Sequence, residues 1–169
     1  SASVVAGLTR QFSAMGTFTN GSANITTSVT WSSSDLSIAS VQSGGANAGN
    51  ATSYKAGTVI IKATHILSGL SATATLNVGP VAITSVLITP QYPTIIKTAS
   101  QPFKAKVTYS DGTVADKTTV ANWASSNTSV ATIRTVGQSQ VGLASGVDKG
   151  QTVISANVSL GTTWMVGTT

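Results

Sequence analysis

The chain contains no cysteine and no glutamate, and it carries a single histidine, His65. Without thiols, no disulfide can brace the fold and any core must hold by packing. Zinc is excluded on the same ground, since its usual sites need Cys or clustered His. A serine triad would have to recruit His65 with Asp35, which is the only acid in its half of the sequence. Neither a Gly-x-Ser-x-Gly elbow nor a phosphate-binding glycine loop occurs. Charged residues make up 8% of the chain, against roughly 25% in ordinary soluble proteins. Their place is taken by Ser, Thr, Ala, Asn and Gly. An apolar content of 41% argues against disorder.

The nine Lys and Arg residues against four Asp give a net charge of +5, but the cations are dispersed. Only Lys104 and Lys106 share a strand face. A nucleic-acid footprint needs a denser stripe with aromatic or Arg readers, so no nucleic-acid partner is expected. No stretch is apolar and long enough to cross a bilayer, and no signal peptide is evident, so no membrane insertion is expected.

What the sequence does have is a duplication. Phe12-Ser13-Ala14 returns as Phe103-Lys104-Ala105, and Trp31-Ser32-Ser33-Ser34 as Trp123-Ala124-Ser125-Ser126. The offset is 91 at the phenylalanines (103 − 12), 92 at the tryptophans (123 − 31) and 93 at Gly57 and Gly150 (150 − 57). A repeat this long is a domain in tandem, longer than a solenoid or propeller unit. The spacing implies a first domain over 1–79 and a second over 80–169, joined at Val78-Gly79-Pro80-Val81. So short a joint is expected to limit flexing between them.

Within each copy, period-two alternation dominates. Phe12, Ala14, Gly16 and Phe18 share one face, as Phe103, Ala105, Val107 and Tyr109 do in the second copy. One buried and one wet face is the antiparallel-sheet pattern. Asn20-Gly21 and Asp111-Gly112 predict tight turns at positive φ. Trp31 and Trp123 are expected inward, and the step in offset places one extra residue near Val120. Ile61, Ala63, Ile154 and Ala156 are inward on a later strand, and Ala72, Ala74, Leu76 and Val78 close the first copy. Helix signals are nearly absent. The core signature is therefore Trp31, Trp123, Phe12, Phe103, Ile61 and Ile154. Short strands at even spacing argue for an all-β fold of sandwich type.

The order Asn/Asp-Gly turn, Trp-Ser-Ser, Ser-Val-Ala-Thr-Ile and Gly-x-x-x-Ile-x-Ala closely resembles the bacterial immunoglobulin-like domains of group 2. The resemblance runs from about Gln11 to Val78 and from Ile83 to about Val158. It implies two tandem Greek-key β-sandwiches, extracellular display at the bacterial cell surface, and a non-enzymatic role as stalk, spacer or adhesin segment. It implies protein partners, whether other proteins or neighbouring copies of the chain, with surface glycans as a further class. No cofactor or catalytic residue comes with the family. Two departures stand out: Asn122 precedes Trp123 where Thr is usual, and 47–52 reads as an expanded loop.

The ends are mismatched. Ile83-Thr84-Ser85-Val86-Leu87-Ile88-Thr89 is the family's usual first strand, and the first copy lacks its equivalent. Local replacement by Ser3 to Val5, or loss with a longer array, is the plainer expectation. Strand donation into a filament or virion, by Trp164 to Thr169 or by the first residues, is the alternative. Trp164 has no counterpart in the first copy and is the candidate contact aromatic. Asp111, Asp116 and Asp148 are too few and too scattered to predict calcium, and are expected to serve turns. Asn20, Asn24, Asn50, Asn127 and Asn157 head glycosylation tripeptides that arise by chance in so Asn- and Ser-rich a chain.

Overall fold

A computed structural model describes residues 1–161 and 163–168, with the side chains of Thr163 and Trp164 outside the described set. The described residues form strands, turns and loops without a helix. The chain divides into two compact units, Ser1–Val81 and Ala82–Thr169. Each has its own core.

The first module contains β1 (Ala2–Val5), β2 (Thr9–Gln11), β3 (Met15–Phe18), β4 (Gly21–Asn24), β5 (Val29–Ser33), β6 (Ala39–Val41), β7 (Asn50–Ser53), β8 (Gly57–His65) and β9 (Ser71–Gly79). One leaf has the order β1-β9-β8-β5, and the other is split into β2-β7-β6 and the hairpin β3-β4. The second module contains β10 (Ile83–Thr89), β11 (Ser100–Pro102), β12 (Lys104–Tyr109), β13 (Val114–Asp116), β14 (Asn122–Ser125), β15 (Ala131–Ile133), β16 (Leu143–Gly146), β17 (Ile154–Leu160) and β18 (Thr163–Thr168). Its sheets are β14-β17-β18, β11-β16-β15 and β10-β12-β13.

Alternation explains the cores. Val29, Trp31, Val59, Ile61, Ala63, Leu76 and Val78 are buried in the first module. Ile88, Phe103, Ala105, Val107, Trp123, Ile154, Ala156 and Val158 are buried in the second. The outward positions carry Thr, Ser and Lys, as the strand pattern requires.

Four details differ from the sequence expectation. The extra residue lies in the β12–β13 hairpin, upstream of Val120. Phe18 pairs with Gly21 across a two-residue turn, whereas Tyr109 N–H donates to Thr113 O across three residues, Ser110 to Gly112. The offset change becomes visible in sequence only at the next aromatic, downstream of the hairpin that causes it. The turn residues Asn20 and Asp111 do not adopt positive φ; Gly21 (φ 130) and Gly112 (φ 82) do. Residues 47–52 are not an expanded loop, since Asn50 to Ser53 form β7 between β2 and β6. Finally, Ala72 is exposed and Ala74 only half-buried on β9, although their phase matches that of the buried Leu76.

Candidate functional site

The first strand is where the two modules part. In the second module β10 runs antiparallel to β12, pairing Val86 with Val107 and Ile88 with Ala105. In the first module β1 runs parallel to β9, pairing Ala2 with Leu76 and Val5 with Gly79. The segment Ser3 to Val5 therefore does not replace a β10-type strand. It takes a different edge, held there partly by Ser53, a fully buried residue whose hydroxyl lies 2.9 Å from Val5 O and 2.6 Å from Leu8 O.

Among the described residues, no strand lies beside the edge of β3 that corresponds to the β10 side of β12. A groove of about 330 Å³ opens there, between β3 and the first half of β9. Trp31, Ile61 and Ala63 are among its lining residues, and Met15, Phe18 and Leu70 line its rim. Those three rim side chains are 63%, 45% and 75% exposed. This groove is the candidate functional site.

The aromatic core signature sits at its base. Phe12 and Trp31 have ring centroids 6.4 Å apart at 46°, and Phe103 and Trp123 repeat this at 6.3 Å and 49°. Each indole N–H donates to a threonine carbonyl at 2.9 Å, Thr26 and Thr118 respectively. The hydroxyls of the same threonines accept from Ala14 N–H (2.9 Å) and Ala105 N–H (3.0 Å). Backbone N–H groups of the tryptophans donate to Ser43 Oγ and Thr135 Oγ1. Gly49 and Gly142, at φ 81 and 83, bring the chain against the phenylalanines. Phe12 N–H donates to Gly49 O and Phe103 N–H to Gly142 O, each at 2.8 Å. A Cβ on Gly142 would lie 2.7 Å from Phe103 O.

Sequence reading missed this threonine and glycine frame. Its only signal was recurrence of Thr and Gly at matching offsets, easily lost in a chain so rich in both.

The candidate chemistry disperses into turns. His65 ends β8, and its Nδ1 bonds Ser68 Oγ at 2.9 Å. Asp35 Oδ1 accepts from Ser37 N–H and Oγ–H, and these bonds hold its carboxyl below the usual range. Asp111 is lowered in the same way by the hydroxyl and amide of Thr113. Asp116 is lowered by Thr118, with Lys104 and Lys106 adding a smaller pull. Asp148 meets Lys97 Nζ at 3.3 Å with both side chains about two-thirds exposed, a geometry worth little. No group of three or more His, Asp, Cys or Glu that could hold a metal occurs among the described residues. Asn24 and Asn127 cap their own turns through Thr26 N–H and Ser129 N–H. The Trp164 side chain lies outside the described residues. The backbone of β18 pairs along β17 within its own module, Ser159 opposite Trp164 and Ser155 opposite Thr168. The segment Trp164 to Thr168 is thus paired inside its module, which counts against the alternative in which it is donated to a neighbour.

The bacterial Ig-like domain (group 2) profile matches residues 1–75 and 82–164. Ice-binding protein 1 of Shewanella frigidimarina (strain NCIMB 400) is 42% identical over 156 residues, which cover 90% of this chain and 16% of that protein. The chain thus spans about a sixth of the length of this curated relative. Among solved structures, surface layer protein SbsC domains 1–6 align with 84% of this chain and 19% of theirs, at 21% identity and a TM-score of 0.42. A C-terminal intimin fragment, solved with the intimin-binding domain of the translocated intimin receptor, aligns with 100% of this chain and 60% of its own, at 15% identity and a TM-score of 0.39. With the profile matching both modules across nearly their whole length, the chain belongs to the bacterial Ig-like domain (group 2) family, in two tandem copies.

Proposed function

We propose that the chain is a non-enzymatic structural segment, a stalk or spacer, of a protein displayed outside the bacterial cell. The supporting observation is the duplicated Trp–Phe core, with the same threonine and glycine frame built twice. Each module is held by its own packed core, and Asp35, Asp111 and Asp116 bond within their own turns. Membership in a family met in extracellular proteins supports the location. The match to an ice-binding protein supports a place within a longer protein whose other parts meet the ligand.

Two measurements test this. An antibody raised against the chain is expected to label intact producing cells or their secreted material; labelling only after permeabilisation overturns the location. The isolated chain is expected to produce no thermal hysteresis in ice-growth assays; hysteresis would make it a ligand-binding part instead of a spacer.

A second reading is that the chain is a subunit of an extracellular filament or virion, joined to its neighbours by strand donation. The edge of β3 that has no neighbour among the described residues favours it. Electron microscopy of native material, showing fibres or isolated short rods, decides between the two.

A further inference from the structure

The matching hairpins β3–β4 and β12–β13 each turn on a dipeptide ending in glycine, Asn20-Gly21 in the first module and Asp111-Gly112 in the second. Of all the asparagines, Asn20 alone precedes a glycine; Ile, Ala, Val, Trp or Thr follows each of the others. The following residue matters because its backbone nitrogen can attack the side-chain amide carbon of the asparagine. Only glycine puts no side chain in the path of that attack.

The two hairpin tips are alike in backbone and differ in side chain. Gly112 N–H donates to Tyr109 O at 3.0 Å. Phe18 and Gly21 form the last pair of the β3–β4 ladder. Counted from the bond between Ile25 N–H and Ala14 O, alternation makes them a hydrogen-bonded pair, so Gly21 N–H faces Phe18 O. Asp111 Oδ1 accepts from Thr113 N–H at 3.0 Å and from Thr113 Oγ–H at 2.7 Å, which ties its carboxyl to the residue beyond Gly112. Asn24 and Asn127 are tied in the same way, to Thr26 N–H and Ser129 N–H. Among the described residues the side chain of Asn20 makes no hydrogen bond, and Asn20, Gly21 and Ser22 are all exposed. That exposure does not depend on the leading strand, since Asp111 and Gly112 are exposed at the same tip with β10 in place.

We propose that Asn20 is a site of spontaneous modification, at which the chain deamidates through a succinimide. The Gly21 nitrogen gives up its proton and bonds to Cγ of Asn20; the Cγ–Nδ2 bond breaks, and ammonia leaves with that proton. Water then breaks one of the two C–N bonds of the ring. Cleavage at Cγ leaves aspartate, and cleavage at the main-chain carbonyl leaves isoaspartate, with the chain running through Cγ. The sum is one water taken up and one ammonia lost, with no oxidant or reductant.

The last ladder pair must open before Gly21 N can reach Cγ. It lies at the end of a hairpin whose β4 is exposed along its whole length, so fraying there gates the rate. Asp111-Gly112 is spared. A carboxyl closes this ring only when protonated, and the Thr113 hydroxyl and amide keep this one ionised. The product adds a negative charge to a module whose sole acid is Asp35. Isoaspartate also lengthens the turn by one main-chain atom and so disrupts the pairing of Phe18 with Gly21. Neither functional reading above is needed for this chemistry.

The test incubates the whole chain in warm, mildly alkaline water enriched in heavy oxygen, then digests it for mass spectrometry. Asn20 is expected to convert first, with one heavy oxygen entering its peptide and both aspartate and isoaspartate resolved. Asn20→Gln should stop the conversion, because its longer side chain closes a larger ring far more slowly. The turn accepts that change, since Asn20 does not adopt positive φ. Asp111→Asn puts the same dipeptide in the second hairpin, where Thr113 still holds the side chain. It should convert more slowly than Asn20 by about fivefold or more, the factor that one net hydrogen bond supplies. The converted chain should lose amide protection at Phe18 and Gly21 while the second module keeps its own. No heavy oxygen at Asn20, or another asparagine converting first, overturns the proposal. An equal rate at the D111N site overturns the protection assigned to Thr113.

Discussion

Two copies of one design differ most here in their leading strand, which in the second module runs along β12 and in the first along β9. The second module places β10 beside β12, and Phe103, Ala105, Val107 and Ala156 are sealed. Among the described residues, no strand of the first module lies at the corresponding edge of β3. Ala63, the counterpart of Ala156, remains 8% exposed and Phe18 is 45% exposed. The first module instead extends its other leaf with β1, held by β9 and Ser53, a pairing with no counterpart among the second module's sheets. What differs between the copies is closure. A core position can carry the right residue, in the right phase, and still face water when no strand covers it.

The largest effect that would test this contrast comes from the matched phenylalanines. Phe103→Ala should cost the second module about 3–5 kcal/mol, the usual range for a fully buried aromatic. Phe12→Ala should cost the first module clearly less, since its ring already borders the groove. Denaturant unfolding followed by residue-resolved hydrogen exchange reads each module separately. Equal losses would mean that the groove is closed in solution.

A smaller contrast lies in the threonine frame. Thr118→Val keeps the shape but leaves the N–H of the fully buried Ala105 unpaired, for about 1–3 kcal/mol. Thr26→Val should cost less, because Ala14 is only half-buried and its N–H lies nearer to water than that of Ala105. The same exchange measurement checks both, and an inverted order would contradict the water-access argument.

The smallest effect is acid sensitivity. Asp35, Asp111 and Asp116 all have carboxyls lowered by hydrogen bonds from the hydroxyl and amide two residues on. A carboxyl lowered by folding contributes stability above its unfolded value near 3.9, and that contribution is lost as pH falls through the lower folded value. Stability should therefore be flat from pH 7 to about 5 and decline gently below about 4. Two of the three aspartates lie in the second module, so its decline should be the larger. Thermal melts with D111N and D116N, which should flatten the second module's decline, check the assignment.

Particular residues show how far the chain could be read before folding. The offsets at Phe12, Trp31 and Gly57 disclosed two domains because aromatic and turn glycine positions tolerate little drift. Alternation placed Ile61, Leu76, Ile154 and Ala156 inward, since a side chain's phase on a strand is a local property. It failed at Ala72, whose phase is right and whose cover is missing. It also misplaced the extra hairpin residue, because the glycines of Asn20-Gly21 and Asp111-Gly112 align in sequence while occupying different turn positions. The walls and depth of the groove were not legible, because β3, β8 and β9 that line it are far apart in sequence.

Sequence alone determined the number of modules, their all-β character and the inward residues of each core, because backbone periodicity and duplicated aromatic landmarks are written in the order of residues. Tertiary structure alone decided which strand edge each leading segment takes, and that β1 joins β9 and β18 joins β17. Edge pairing is a choice among nearly equivalent backbone ladders, and it is settled by long-range packing, as at Ser53 against Val5 and Leu8 and at Gly167 against Val86, which no local pattern encodes.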